Sequence, residues 1–376
     1  MIREAELKDL DELTEIERRS FESDQLSRRN LRYLLTRANA TTLIEQENGA
    51  IRGYALVLYN TGTSLARLYS LVVDTPFRGL GLGAALLQAA EDDALNNECV
   101  TLRLEVRKDN TAAIKLYQKH GYKFFDEVND YYQDHTVALR YEKHLAPHLG
   151  QDIVKIPFYR QTCDFTCGPA ALMMAMKSLR PAMEMDRKSE LLIWKESTII
   201  FMTSGHGGCS PYGLAISAYD RGFDVDLYVN HQEALFLDSV RNPEKKEVMR
   251  IVQEDQIEQV NKLNIHLQYG ILTVNELQKR FKKGHIPIVL ISSYRIYHEK
   301  GPHWVVVTGF DDRFIYVHDS YVDTDEGKTD SDCINMPILK KDFERMSKYG
   351  KSGQKAVLII KRRKSRADQI VLHDKI

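Results

Sequence analysis

Residues 74–95, DTPFRGLGLGAALLQAAEDDAL, contain a glycine-rich turn between a strand-like and a helix-like segment. The apolar run SLARLYSLVV before the turn predicts a strand, and the alanine- and leucine-rich run after it predicts a helix. Gly79, Gly81 and Gly83 would let the backbone turn tightly and approach a ligand closely. The free N–H groups at the helix start, together with Arg78, favour a phosphate. The spacing differs from the GxGxxG of dinucleotide-binding folds, and a helix entry packed closely on a sheet is the alternative.

The rest of the first 145 residues alternates helix-like and strand-like patterns. The runs TTLIEQ and GYALVLYN predict two strands divided by the turn ENGAIRG. The run TLRLEVRKDNTAAIKLYQKHGYKFF predicts a strand, then a short helix that begins after Asn110 and ends at Gly121. These patterns predict a mixed α/β domain.

Two motifs in this half resemble those of the GNAT acetyltransferase superfamily, R-x-x-G-x-G and N-x-x-A-x-x-x-Y. Their residues here are Arg78, Gly81, Gly83, Asn110, Ala113 and Tyr117. The run LEVRKDNTAAIKLYQKHGY is most similar to the ribosomal-protein N-terminal alanine acetyltransferases. The resemblance implies a mixed sheet flanked by helices over residues 1–147, with acetyl-CoA as cosubstrate.

The resemblance also implies roles for single residues. The Glu of LEVR is the proposed general base and the Tyr of LY the general acid, which are Glu105 and Tyr117 here. An amine must lose a proton to attack a thioester, and the departing thiolate needs one. The alternatives are a solvated strand residue for Glu105 and a packed aromatic for Tyr117, while Tyr131 and Tyr132 either line a peptide groove or pack on an edge strand. The implied acetyl-CoA contacts are Leu71, Val72, Val73, Arg78, Gly79, Gly81, Gly83 and Asn110.

The length of the chain, 376 residues, predicts two domains, with three as the alternative. Periodicity is lost around Pro147, so we place a linker at 148–154 and a second domain at 155–362, followed by a tail at 363–376. The net charge of -1, from 52 basic and 53 acidic residues, gives no reason to expect nucleic acid or a membrane as partner. The five thinly spread cysteines and the absence of a signal-peptide pattern favour a reducing, cytoplasmic location.

Residues 161–171, QTCDFTCGPAA, place two cysteines before an apolar run. A zinc site would need a second close pair of ligands, and the candidates are scattered. Those candidates are His206, Cys209 and Cys333. A disulfide between Cys163 and Cys167 is disfavoured in the cytosol, so neither a metal nor a disulfide is expected. Because Pro169 suits a first helical turn, Cys167 would begin a helix whose dipole favours a reactive thiolate.

A nucleophilic cysteine needs a base, an orienting group and an oxyanion donor. The run KGPHWVVVTGFDDRFIYVHDSY predicts a hairpin, and folding it about residue 311 opposes His303 with Asp319. A strict two-residue turn would oppose His303 with Ser320, so we predict a three-residue loop or a bulge. Gln161, six residues before Cys167, is the predicted oxyanion donor.

These residues together resemble the papain-like cysteine peptidases that cut bacteriocin leaders after double glycine. The matching positions are Gln161, Cys167-Gly168-Pro169-Ala170, His303-Trp304-Val305 through Gly309, and Asp319. A long insert at about 180–285 and the preceding GNAT domain depart from that family and make the chain look like its cytosolic peptidase-like branch. The resemblance implies a thioester on Cys167, with His303 as base and then acid and Asp319 as its orienting group.

The sequence therefore predicts a two-domain protein, of α/β and α+β class, with a GNAT fold followed by a papain-like fold. The predicted function is bifunctional: acetyl transfer to an amine such as a peptide N-terminus, and cleavage of a peptide or amide bond in a peptide or protein substrate. The alternatives are an amidase or peptide ligase using the same cysteine, a non-catalytic peptide-binding second domain, and a first domain that only senses CoA. A further hypothesis is that the peptidase exposes an N-terminus that the acetyltransferase then caps.

Overall fold

The computed structural model describes residues 1–146, 152–199, 207–299 and 301–363. The chain divides into two compact units, Met1–Leu149 and Gly150–Ile376, each described separately here. Most of the predicted linker, 148–151, and the predicted tail from 364 onward lie outside the described residues.

The first unit is built on a seven-stranded sheet with the order β1-β2-β3-β4-β5-β7-β6. The strands are β1 (Ile2–Glu4), β2 (Ala40–Glu47), β3 (Ala50–Tyr59), β4 (Leu65–Val73), β5 (Thr101–Arg107), β6 (Lys123–Val128) and β7 (Ala138–His144). The helices are α1 (Leu10–Ser20), α2 (Arg28–Thr36), α3 (Leu82–Asn96) and α4 (Thr111–Lys119). The strands and helices predicted from the alternating patterns of this half are confirmed.

The strands of the first unit alternate their side chains between two apolar clusters, as the two-residue period of a strand requires. Ala55 and Val57 of β3 pack with Leu86 of α3 on one side. Tyr54 and Leu56, their neighbours along β3, belong to the other cluster. The helix residues of that second cluster are Leu10, Leu13 and Ile16 of α1 and Leu31 of α2. The sheet is therefore covered by helices on both faces, as the GNAT resemblance implied.

The two central strands of this sheet separate part-way along their length. β4 and β5 pair in parallel from Leu65↔Thr101 to Leu68↔Leu104, where their recorded pairing stops. β4 continues to Val73 on its other neighbour, β3, and β5 continues to Arg107 on β7. Between the described residues of the two strands, a row of backbone N–H and C=O groups is thus left for another partner.

The second unit contains an eight-stranded sheet with the order β10-β9-β15-β11-β12-β13-β14, and β8 pairs with β12. The strands are β8 (Asp152–Ile153), β9 (Phe223–Val229), β10 (His266–Tyr269), β11 (Ile286–Ser292), β12 (Pro302–Phe310), β13 (Phe314–His318), β14 (Met336–Leu339) and β15 (Ala356–Arg362). The helices are α5 (Cys167–Leu179), α6 (Arg187–Ser197), α7 (Pro211–Asp220), α8 (Pro243–Lys262), α9 (Val274–Lys282), α10 (Tyr294–Tyr297), α11 (Asp330–Cys333) and α12 (Lys340–Met346).

Helix α5 lies inside the second unit. Its residues from Cys167 to Met176 are buried, because the run AALMMAM is apolar on every side and must be surrounded by other apolar groups. The predicted helix start at Cys167 is confirmed. The long insert predicted at about 180–285 supplies β9 and β10, so it forms part of the sheet.

The hairpin of β12 and β13 turns later than the sequence suggested. Phe310 pairs with Ile315, which centres the turn on residues 312–313 instead of residue 311. The pairing then shifts between Val307 and Gly309, so the predicted bulge is present. A β-bulge places an extra residue on one strand and changes the partners of every residue beyond it.

The predicted opposition of His303 and Asp319 is therefore wrong in register. Val306 pairs with His318, so the ladder, if continued, would oppose Asp319 with Val305 and not with His303. The offset of two residues keeps both side chains on the same face of the sheet, because side chains alternate with a period of two. Their contact is diagonal and not directly cross-strand.

No helix within the described ranges has both the length and the apolar composition needed to cross a bilayer.

Candidate functional site

The first residue of α5 is Cys167, and its side chain is largely buried against β12. A Cβ added to the next residue, Gly168, would lie 3.1 Å from Trp304 Cδ1 and 3.3 Å from Cys209 Cβ. Glycine here therefore lets the helix begin close to the strand that carries His303. The N-terminus of a 13-residue helix favours the thiolate form of a cysteine.

The imidazole of His303 contacts the carboxylate of Asp319, with 2.6 Å between Nε2 and Oδ1. Both side chains are buried, Asp319 completely. Burial alone would lower the pKa of His303, but the charges of Asp319 and Cys167 and hydrogen bonds to both raise it well above its usual value. Because Asp319 occupies Nε2, the other ring nitrogen, Nδ1, is left for Cys167. The structure thus brings the three predicted residues together.

The neighbouring histidine, His318, is held in a different way. Its Nε2 lies 2.9 Å from the carbonyl oxygen of Ile156, and its Nδ1 accepts a hydrogen bond from the Asn335 N–H at 2.9 Å. With both ring nitrogens bound to backbone, His318 has a structural role, and His303 is the better base.

The carboxylate of Asp319 is fixed by donors that the sequence did not reveal. The Tyr297 hydroxyl donates to Oδ2 at 2.8 Å, and the Tyr321 N–H donates to Oδ1 at 2.9 Å. The ring of Tyr297 also lies edge-on to His303, with centroids 6.0 Å apart. Burial and the charge of Asp319 raise the pKa of Tyr297 well above its ordinary value, so its hydroxyl remains a donor.

The amide of Gln161 is oriented on both of its polar atoms. Its Oε1 accepts a hydrogen bond from Ser320 Oγ at 2.8 Å, and its Nε2 donates to the Cys163 carbonyl at 2.9 Å. The backbone N–H of Gln161 donates to the Ser320 carbonyl at 3.0 Å. An amide nitrogen carries two hydrogens, so one N–H of Gln161 remains for an oxyanion.

A buried carboxylate, Glu190 of α6, organises the loop before Cys167. It accepts hydrogen bonds from the Thr162 N–H at 2.8 Å, from Thr162 Oγ1 at 2.7 Å, from the Tyr159 hydroxyl at 2.9 Å and from Thr166 Oγ1. Thr166 directly precedes Cys167, so Glu190 positions the helix start. The sequence offered no signal for this role, because Glu190 lies in an ordinary amphipathic pattern.

Two other cysteines of the unit, Cys209 and Cys333, are fully enclosed in its core. Burial, with the charge of Cys167, raises the pKa of Cys209 well above its usual value. Burial also raises the pKa of the Cys333 thiol, with Asp319 adding to the effect. The raised pKa values keep the Cys209 and Cys333 thiols protonated, and a protonated thiol is not a nucleophile. Of the scattered metal-ligand candidates, His206 lies outside the described residues, and no group of three His, Cys, Asp or Glu within the described ranges could hold a metal.

The glycine-rich turn of the first unit has a left-handed backbone at two positions. Gly79 has φ of 83° and Gly81, the N-cap of α3, has φ of 78°. A Cβ at either would meet no atom within 4 Å, so glycine is needed there for its backbone conformation and not for lack of space. At Gly83 the φ is not positive, and a Cβ would make ordinary contacts with Leu116 and Val73.

The turn and the separated strands together fit a molecule such as acetyl-CoA. The N–H groups of Ala84 and Ala85 donate to the Gly81 carbonyl, at 3.1 and 3.2 Å. The N–H groups that precede them, at the very start of a helix, have no acceptor four residues back and favour an anion. Arg78 is exposed, and its Nε donates to the Val73 carbonyl at 3.2 Å. An extended chain could hydrogen-bond along the far part of β4, the predicted contacts Leu71, Val72 and Val73, with phosphates at α3.

The predicted base, Glu105, is buried among arginines. Its Oε2 accepts from Arg67 Nε at 2.8 Å, and its Oε1 lies 3.8 Å from Arg140 Nε. All three side chains are about 5% exposed. The alternative of a solvated strand residue is therefore excluded, and a general-base role for Glu105 stays a prediction.

Tyrosines surround this carboxylate. The Tyr131 hydroxyl accepts from Arg67 Nη2 at 2.8 Å, and the rings of Tyr131 and Tyr132 lie edge-to-face at 5.0 Å. Burial raises the pKa of Tyr132, and Tyr131, Glu105 and Tyr117 raise it further, so these groups lie near one another. Burial also raises the pKa of Tyr117, whose hydroxyl has no hydrogen-bond partner among the described residues.

Asn110, a predicted acetyl-CoA contact, uses its side chain to cap a helix in this structure. Its side-chain oxygen accepts from the Ala113 N–H at 3.1 Å and caps α4. The cap fixes the start of the helix that carries Tyr117.

Each of the two compact units matches a different known protein family. The model of the Acetyltransferase (GNAT) family matches residues 7–122, and that of the Peptidase_C39 like family matches residues 156–361. An uncharacterized N-acetyltransferase of Methanocaldococcus jannaschii is 33% identical over 140 residues, which are 37% of this chain and 88% of that protein.

The chain belongs to the GNAT family and the Peptidase_C39 like family.

Other relatives match only the GNAT unit. The [ribosomal protein bS18]-alanine N-acetyltransferase of Salmonella typhimurium is 40% identical over 77 residues, 20% of this chain and 52% of that enzyme. The match thus spans about half of the length of that relative. The crystal structure of the ribosomal-protein-S18-alanine N-acetyltransferase of Escherichia coli is 26% identical, with a TM-score of 0.36, over 39% of this chain and 93% of that one.

The two units therefore have the identities that the motifs implied, a GNAT acetyltransferase and a Peptidase_C39 like unit. The motifs contained Gln161, Cys167, His303, Asp319 and the glycine-rich turn. They did not contain Tyr297, Ser320 or Glu190, which hold those groups in place by hydrogen bonds from other segments.

Proposed function

We propose that the chain is a bifunctional enzyme that transfers acetyl to a peptide amine and cleaves a peptide or amide bond through Cys167. The observation that carries the second activity is the buried His303–Asp319 pair beside Cys167. A peptide-binding module without catalysis would not need an imidazole held in this way. A cytoplasmic location is part of the same proposal.

The hydrolytic cycle follows from the side chains present. The Cys167 sulfur attacks the carbonyl carbon, and the Gln161 amide donates to the oxygen that becomes negative. The C–N bond breaks as His303 gives its proton to the leaving amine, which leaves a thioester on Cys167. Water attacks the thioester with His303 as base, the C–S bond breaks, and a carboxylic acid departs as Cys167 is restored.

The acetyl-transfer half rests on the GNAT unit. Acetyl-CoA supplies the acetyl group as a thioester, held at Gly79, Gly81 and the start of α3. Because burial keeps Tyr117 protonated, its hydroxyl can donate a proton to the departing sulfur. The acceptor amine would enter beside Glu105 and the tyrosines around it. Relatives named for acetylating the alanine of a ribosomal protein support a peptide N-terminus as acceptor.

The test of the hydrolase is labelling of the full chain with a peptide that ends in an electrophilic carbonyl. We expect one adduct on Cys167, located by mass spectrometry after digestion. Cys167→Ala should abolish the adduct, whereas Cys163→Ala, four residues away and partly exposed, should retain it. Labelling of Cys163 alone, or none in the wild type, would favour the non-catalytic alternative.

The test of the acetyltransferase is release of CoA from acetyl-CoA with a panel of peptides differing in their first residue. We expect peptides with a free α-amine to be acetylated and their N-terminally blocked counterparts to be inert. Tyr117→Phe should slow release, and Tyr33→Phe, at an exposed site on α2, should not. If no amine is acetylated although acetyl-CoA binds, the unit is a CoA sensor.

The two activities acting in sequence form a separate proposal. Adding acetyl-CoA during cleavage of a peptide by the full chain should raise the mass of the C-terminal product by one acetyl group. A product that remains unacetylated while a synthetic copy of it is acetylated would separate the two reactions.

A further inference from the structure

A cavity lies in the Peptidase_C39 like unit, lined by residues outside the proposed catalytic group. It has a volume of about 450 Å³ and is bordered by α9, α12 and the loop before α9. Its floor is a cross-strand row formed by Tyr228 of β9, Val357 of β15 and Val289 of β11, which pair directly with one another. Pockets of roughly 300–1,000 Å³ are the size that accommodates small molecules.

The walls of this cavity are apolar as well. Leu277 of α9 and Phe343 of α12 are buried beside it, and Ile271 is 57% exposed in the loop before α9. A large exposed isoleucine beside an apolar cavity is a surface that a ligand could cover.

The rim is basic. Lys341, Lys348 and Lys355 line the cavity, and among the residues that the structure describes none of them forms an ion pair. Lys355 is half-buried, and burial together with the charge of Lys348 lowers its pKa, although the charge of Glu344 acts in the opposite direction. The lining also includes Arg345, which pairs with Asp342 outside the cavity lining, and one carboxylate, Glu344.

We propose that this cavity binds a small amphipathic anion of the class of a medium-chain carboxylate. Its apolar body would lie on the Tyr228–Val357–Val289 row, and its charged head would meet Lys355 and Lys348. Apolar burial supplies the affinity, and the unpaired lysines supply the preference for an anion. The proposal is independent of the function proposed for Cys167.

The test is calorimetric titration of the full chain with decanoate, below its micelle concentration, at low salt. We expect saturable one-to-one binding and at least tenfold weaker binding of decanol, which has the same chain without the charge. Lys355→Met, which keeps the length of the side chain and removes its charge, should weaken decanoate binding at least tenfold. Lys351→Met, at an exposed lysine outside the lining, should leave it unchanged.

A second variant guards against misfolding of the first. Ile271→Asp places a negative charge at an exposed position and should also weaken decanoate binding. The absence of saturable decanoate binding would overturn the proposal. Equal affinities for decanol and decanoate, with no effect of Lys355→Met, would also overturn the proposal. The cavity would then recognise the apolar chain of the ligand and not its charge.

Discussion

The Peptidase_C39 like unit holds its reactive groups by hydrogen bonds between side chains, whereas the GNAT unit presents mainly backbone. In the first case Asp319, His303 and Gln161 each have a bound partner before any substrate arrives. In the second case the recorded pairing of β4 and β5 stops at Leu68 and Leu104, which leaves backbone groups of the described parts of both strands for another partner. The candidate site of the Peptidase_C39 like unit is therefore preorganised, whereas we expect the candidate site of the GNAT unit to be completed by acetyl-CoA.

The largest expected effect concerns the base of the preorganised site. His303→Ala should lower the rate of Cys167 labelling by an electrophilic peptide by about 10²–10⁴-fold, since general-base assistance contributes about that much. The rate would be followed by mass spectrometry over time. His298→Asn, at an exposed position with φ of 57° that asparagine tolerates, is the control and should label at the wild-type rate. Equal rates for His303→Ala and the wild type would show that the two sites do not differ in preorganisation.

The second prediction asks whether the GNAT unit also contains a fixed side-chain network. Glu105→Gln would leave the buried Arg67 without its carboxylate, while Arg140 keeps its ion pair with Asp126 at 2.8 Å, and we expect a loss of about 3–5 kcal/mol of stability. Hydrogen exchange of β5 in the full chain under mild urea would measure it. Glu142→Gln, whose side chain is 34% exposed, should cost less. If Glu105→Gln abolishes acetyl transfer but leaves the hydrogen exchange of β5 unchanged, Glu105 contributes to catalysis and not to stability.

A smaller effect is expected at the tyrosine that holds Asp319. Tyr297→Phe keeps the ring beside His303 and removes the 2.8 Å hydrogen bond to the carboxylate. Hydrogen bonds to charged groups contribute about 1.5–3 kcal/mol, so Cys167 labelling should slow by roughly tenfold or more. Tyr294→Phe, at a half-exposed position in the same short helix, is the matched control. If Cys167 is labelled as fast in Tyr297→Phe as in the control, the hydrogen bond from the Tyr321 N–H is sufficient to hold Asp319.

The two halves also differ in how much of their sites the sequence revealed. The GNAT motifs are local, because the strand, turn and helix that form the predicted phosphate site are consecutive in the chain. Gly79 and Gly81 could therefore be predicted, and their left-handed backbone explains why glycine stands there. The second unit assembles its site from 161–167, 294–303 and 319–321, and only residues that belong to recognisable motifs could be found.

The predictions that failed depended on register. Nothing in DDRF shows that the turn lies at 312–313, because that position depends on Asp311 accepting hydrogen bonds from two backbone N–H groups, at 2.7 Å from Arg313 and 2.6 Å from Phe314. The role of Glu190 was equally invisible, since its partners lie 24 or more residues away. Local patterns predict elements, whereas contacts between distant segments are decided by packing.

The smallest expected effect is a pH dependence of stability confined to the second unit. The pKa of His303 is raised in the folded state, whereas histidine in an unfolded chain titrates at about 6.5. The folded protein therefore binds this proton more tightly than the unfolded chain does. The resulting stabilisation is fully present below that pH and is lost as the pH rises toward the folded value, with a slope of at most about 1.4 kcal/mol per pH unit. Hydrogen exchange of α5 and β12 in the full chain, measured from pH 6 to 9, should show this loss in the wild type but not in His303→Ala. Parallel stability curves for the two proteins would mean that Asp319 and Cys167 do not hold a proton on His303, and the preorganised ion pair would have to be abandoned.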